Sequence, residues 1–122
     1  MSFEQYPIWD QEALVGRMRG KTDRVVKLVN LFLGDMPERI ASLNEEISSD
    51  QFEACTATAH TVKGVAANLS VLRLQEAATV LETAAKDQNA AELQSLLDTI
   101  KTVYEESESE LKAFVEANSA DS

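Results

Sequence analysis

Residues 52–69 read FEACTATAHTVKGVAANL. Apolar side chains recur at Phe52, Cys55, Ala59, Val62, Ala66 and Leu69, with steps of 3, 4, 3, 4 and 3. That spacing returns each of them to one side of an α-helix. At about 100° per residue, His60 falls roughly 130° from the centre of the stripe, on its exposed side. Glu53, Thr56, Gly64 and Ala67 share its face, and Lys63 flanks it. His60 is the only histidine in the chain. Gly64 follows it by one turn, where glycine costs about 1 kcal/mol relative to alanine.

The helical rhythm continues outward in both directions. Ser48-Ser49-Asp50 reads as a turn, and Asp50 with Glu53 has the spacing of a capping box. Downstream, Ser70 is placed to cap a helix with its face at Leu74, Ala78, Leu81 and Ala85. After a turn at Asp87-Gln88-Asn89, Asn89 and Glu92 repeat the box. The last face is Leu93, Leu97, Ile100, Tyr104, Ser107, Leu111 and Phe114. The acidic run EESESE (105–110) decorates the solvated sides of that helix, with Ser107 on the inner stripe. Upstream, Val25, Val29, Phe32, Met36, Ile40, Leu43 and Ile47 keep one register across Pro37. Pro37 removes a backbone donor, so one kinked helix or two helices are both open. The unbroken register favours one. Thr22 or Asp23 is expected to cap it, and Asp10 to cap a short helix reaching about Met18.

No stretch alternates with period two, and no internal repeat is evident. The expected architecture is all-α: an antiparallel up-down four-helix bundle with a short extra N-terminal helix across it. It is read as a single domain over 1–122. Residues 1–9 form an irregular segment whose aromatics, Trp9 included, lie on the core, and 118–122 is a frayed tail.

The 122 residues carry 11 basic and 21 acidic side chains, a net charge of −10. Phosphate backbones and anionic lipid would repel such a chain, which argues against nucleic acid and direct membrane contact. One cysteine, Cys55, forms no intramolecular disulfide and suits a cytoplasmic setting. No signal peptide or apolar spanning segment is evident. A cytoplasmic part of a membrane-bound protein is equally compatible.

An exposed neutral imidazole is a competent nitrogen nucleophile. A lysine three residues on can hold a dianionic group attached to it, and a glycine four residues on leaves the ring open. Nucleophile, counter-charge and space together suggest a phosphoryl acceptor. Metal chemistry fares worse. One histidine cannot build a multi-histidine site, and position 57 of a Glu-x-x-His motif is alanine. No phosphate-cradling GxxxxGK[ST] loop is present, so the chain has no ATP site of its own.

The stretch AHTVKGVAANLSVLRLQEAATVLE (59–82) resembles the histidine-containing phosphotransfer (HPt) domain signature. His60, Lys63, Gly64, Asn68, Leu69, Leu74, Leu81 and Glu82 stand at matching positions. Residues 9–43 are similar to the family's N-terminal half, and the last helix resembles it weakly. The resemblance implies a phosphorelay carrier in two-component signal transduction. His60 would be the phosphorylated nucleophile, Lys63 would stabilise the phosphoryl group, and Gly64 would give steric clearance. Thr56 and Ala67, on the same face, are the candidate docking residues. The implied partners are response-regulator receiver domains, which bring an acidic pocket and Mg²⁺, so the chain needs no cofactor or metal. A monomer is expected. The N-terminal stretch looks closer to domains fused to hybrid sensor histidine kinases, which would make such a kinase a partner in cis.

Ser70 departs from the pattern, since the family usually has glycine there. Asn68 is read as satisfying backbone at the helix end, and Glu82 as structural or solvated. Two alternatives stand beside the carrier. One is an adaptor bundle that binds without chemistry. The other is the phosphoacceptor domain of a chemotaxis-type kinase.

Overall fold

The computed structural model describes residues 3–118. Five helices follow one another: α1 (Gln11–Arg17), α2 (Thr22–Ser48), α3 (Phe52–Asn68), α4 (Leu72–Lys86) and α5 (Ala90–Asn118). Short turns reverse the chain between α2, α3, α4 and α5, so sequence neighbours run antiparallel. α3 packs on α2 and α4, and α5 closes the ring against α4 and α2. α1 leans on α2. This is the all-α, up-down four-helix bundle with a short extra helix that the periodicity implies. The expected frayed tail starts at Asn118, the last residue of α5, and its residues 119–122 lie outside the described residues, as do residues 1 and 2.

The core is the union of the apolar stripes. Cys55, Ala59, Val62 and Ala66 of α3 are fully buried, as are Leu74 and Leu81 of α4 and Leu97, Ile100 and Leu111 of α5. Truncating one of these leucines to alanine costs about 2–5 kcal/mol. Pro37 sits inside α2, which runs unbroken through it. Ser107 is buried on the inner stripe of α5, and its hydroxyl donates back to the Val103 carbonyl at 2.9 Å. Burial pushes the Cys55 thiol up to about 11, with Glu46 adding to the shift, so this cysteine is a neutral core residue.

The turns differ from the expected capping boxes. Arg19, Asp50, Ser70 and Gln88 all have positive φ, between 53° and 60°. Each lies two residues after a helix end. The next amide reaches back five residues: Gly20 to Val15, Gln51 to Glu46, Val71 to Ala66 and Asn89 to Ala84. These are Schellman closures, which satisfy the last carbonyls of the preceding helix. Asp50 and Ser70 therefore close helices rather than open them. α3 and α4 begin after Gln51 and Val71 with no side-chain cap, and α2 begins after Lys21 with Thr22 and Asp23 already inside its first turn. The Asp10 cap takes its expected form, accepting from the Ala13 amide at 3.1 Å, and α5 begins at Ala90, directly after Asn89.

The N-terminal segment is fastened across the bundle. Trp9 is buried, meets Phe114 edge-on at 5.4 Å between ring centroids, and donates its indole N–H to the Leu69 carbonyl at 2.8 Å. Arg73 donates to the carbonyls of Tyr6 and Glu4 and pairs with Glu106. The segment thus holds the α3–α4 turn on which the register of those two helices depends.

Candidate functional site

α3 buries its narrow stripe and presents His60 outward, its side chain 66% exposed. The ring is not free-standing. Its Nδ1 lies 2.9 Å from Oε2 of Glu82 on α4, and the other carboxylate oxygen, Oε1, lies 2.7 Å from Nζ of Lys63. Glu82 therefore bridges the two α3 residues that the sequence singled out. Its side chain is only 16% exposed. The Lys63 hydrogen bond holds its carboxyl below the ordinary value, against an opposing push from burial, and the His60 contact adds to the lowering.

The ionised carboxylate fixes the ring chemistry. A carboxylate only accepts, so the nitrogen facing it must carry the proton. A neutral imidazole has a single N–H, which places it on Nδ1. Nε2 keeps its lone pair and points away from Glu82.

A sequence profile of the Hpt domain matches residues 27–116. The chain belongs to the Hpt family. Its work is accordingly histidine phosphotransfer in two-component signalling, and Hpt proteins pass phosphoryl groups to response-regulator receiver domains. Among solved structures, histidine-containing phosphotransfer protein B (HptB) of Pseudomonas aeruginosa PAO1 superposes with a TM-score of 0.86 at 22% identity. The match covers 91% of this chain and 96% of that one, and shows that the two share a fold. No curated protein matches the sequence.

Around the ring of this Hpt chain, Gly64 is exposed, and a Cβ built on it meets no heavy atom within 4 Å. Thr56 lies one turn before His60 in a shallow groove between α3 and α4, its hydroxyl tied back to the Phe52 carbonyl at 2.8 Å. Ala67 is half-buried on α3, seven residues beyond His60. Asn68 lends its carbonyl to Arg17, at 2.6 Å. Glu82, read from the sequence as structural or solvated, is the residue that sequence reasoning missed. The α3–α4 turn at Ser70 and Val71 lies midway between positions 60 and 82, so an antiparallel pair brings these two positions level. That register was the available signal.

Among the described residues no cluster of three or more His, Cys, Asp or Glu could hold a metal ion, and no helix is long and apolar enough to cross a membrane.

Proposed function

We propose that this chain is a phosphorelay carrier that takes a phosphoryl group from a receiver-domain aspartate onto Nε2 of His60 and hands it to a second receiver. The observation that carries this reading is the exposed side chain of His60, whose Nδ1 is held by Glu82. Nε2 attacks the phosphorus of the aspartyl phosphate. The new N–P bond forms as the acyl P–O bond breaks, and the aspartate leaves as a carboxylate. Nδ1 keeps its proton throughout, and the anionic Glu82 offsets the positive charge the ring acquires.

Lys63 is the phosphoryl-stabilising cation. Its flexible stem lets the ammonium turn from Glu82 toward the oxygens of a phosphoryl group on the neighbouring ring. Gly64 supplies clearance, because nothing among the described residues crowds a Cβ there. Thr56 and Ala67 flank the ring along α3 as docking positions. The Mg²⁺ and the acidic pocket belong to the receiver, and the carrier contributes alignment, which is most of what phosphoryl transfer requires.

The test is transfer from a panel of phosphorylated receiver domains to the wild type and to His60→Gln. Acid-labile, base-stable label on the wild type alone is the expected result. Equal labelling of His60→Gln, or none on the folded wild type from any receiver, overturns the reading.

A further inference from the structure

Lys63 is already engaged before any phosphoryl group arrives. Its ammonium sits 2.7 Å from Oε1 of Glu82, while Oε2 of the same carboxylate lies 2.9 Å from Nδ1 of His60. Glu82 is the one ion-pair partner of Lys63 among the described residues. The pair is sheltered, with the Lys63 side chain 30% exposed and that of Glu82 16%, so water and salt screen it less than a pair on open surface. The Lys63 hydrogen bond is also the largest cause of the lowered Glu82 carboxyl.

Phosphorylation brings a rival anion. A phosphoryl group carries about two negative charges near neutral pH. On Nε2 it stands across the ring from Glu82, within reach of a lysine three residues along α3. The ammonium then either leaves Glu82 for the phosphoryl oxygens or is divided between the two anions. In both cases the phosphoryl group gains less than an unengaged lysine would give it. The effect is reciprocal by linkage. If phosphorylation weakens the Lys63–Glu82 bond, that bond weakens the hold on the phosphoryl group by the same factor.

We propose that Glu82 competes with the phosphoryl group for Lys63, and that this competition keeps the group on His60 loosely held and ready to pass on. The inference rests on the carrier reading above. It gives Glu82 a second task, separate from holding Nδ1, as a positioning residue that acts through Lys63 once the N–P bond has formed. A lysine with no rival anion would draw phosphoryl groups onto the carrier and slow their release. In onward transfer a receiver aspartate oxygen bonds to phosphorus, the N–P bond breaks, and its electron pair returns to Nε2. As the group leaves, Lys63 recovers its bond to Glu82, and that recovery favours release.

The experiment is a double-mutant cycle on the transfer equilibrium, with one receiver that labels the wild type. Second-order rates are measured in both directions, from phosphorylated receiver to carrier and back. Their ratio gives the equilibrium constant for wild type, Lys63→Met, Glu82→Gln and the double variant. Lys63→Met is expected to shift the equilibrium toward the receiver, and to do so about twofold or more further in the Glu82→Gln background. The cycle is needed because Glu82→Gln alone also removes the charge that offsets the phosphorylated ring. A Glu82 that only orients the ring would change the equilibrium by the same factor with or without Lys63. Equal shifts in the two backgrounds, or a smaller shift beside Glu82→Gln, overturn the proposal and leave the carrier reading intact. Glu82→Ala repeats the cycle with no side chain able to hold the ammonium, and the same sign is expected; its absence overturns the proposal if the glutamine variant does not fold. A folded wild type that no receiver labels overturns both readings.

Discussion

Gly64 separates what the fold needs from what the transfer needs. It lies in the interior of α3, and a Cβ there meets no heavy atom within 4 Å. The free protein should therefore gain from Gly64→Ala. Removing the excess backbone freedom of glycine inside a helix is worth about 0.5–1 kcal/mol. For a chain of this size that raises Tm by about 2–5 °C. Glutamine has nearly the same helix propensity as alanine, so Gly64→Gln should also melt above the wild type. In the complex the sign reverses. The glutamine side chain stands one turn from the imidazole, where the receiver must close for Nε2 to reach phosphorus. Forcing extra atoms into a packed contact costs about 1–3 kcal/mol, which corresponds to roughly 5–150-fold in transfer rate. Alanine should cost less than glutamine. Thermal melting by circular dichroism and the initial rate of transfer from a phosphorylated receiver measure the two effects on the same samples. A Gly64→Gln protein that melts higher and still transfers at the wild-type rate would refute the clearance argument. A Gly64→Ala protein that melts lower would show that the fold itself requires the glycine.

Three further outcomes follow from the geometry. Glu82 has its carboxyl held below the ordinary 4.5, so its contribution to stability is present above that pH and is lost as pH falls through the lowered value. Melting curves of wild type and Glu82→Gln should converge toward acid, and a constant gap between pH 7 and pH 3 would contradict the His60–Glu82–Lys63 bridge. Ser70 occupies a left-handed conformation with φ of 60°; Ser70→Gly should stabilise the chain by about 1 kcal/mol, and a lower denaturation midpoint in urea would be the opposing result. The Tyr104 hydroxyl is buried with no hydrogen-bond partner among the described residues, and burial, with Glu108 adding to it, pushes it from 10.0 up to about 12. Tyr104→Phe should add about 1 kcal/mol at neutral pH, and its advantage should widen from pH 10 to 12, where the unfolded wild type ionises before the folded one does; an advantage that stays flat over this range would count against the burial.

The sequence was legible where one periodicity dominates. The stripes of α2, α3 and α5 are buried as their spacing implies, except at Ile40 and Phe52, which are half-buried, because a residue's side of a helix follows from position alone. His60 is exposed for the same reason. The turns were harder to read. Asp50, Ser70 and the Asp87–Asn89 turn carry polar residues that suit either the start of one helix or the end of the previous one. The Schellman closures use the second option, which depends on backbone φ rather than residue type. Glu82 was obscured for a different reason. Its partners are 22 and 19 positions away on another helix, and only the register set by the α3–α4 turn, itself held by Trp9 and Arg73, brings them together. The family pattern marked position 82 without saying what it touches. The usual glycine at position 70 finds its physical reason in the positive φ there.

Because His60 is the only histidine, the ring nitrogens of protein labelled with ¹⁵N-histidine give a single pair of NMR signals. Recording that pair before and after incubation with a phosphorylated receiver tests the central claim most directly. The account predicts a proton on Nδ1 beforehand, and coupling of Nε2 to phosphorus afterwards with Nδ1–H retained. Phosphorus on Nδ1, or an unchanged imidazole in a protein that has nonetheless taken up label, would contradict it.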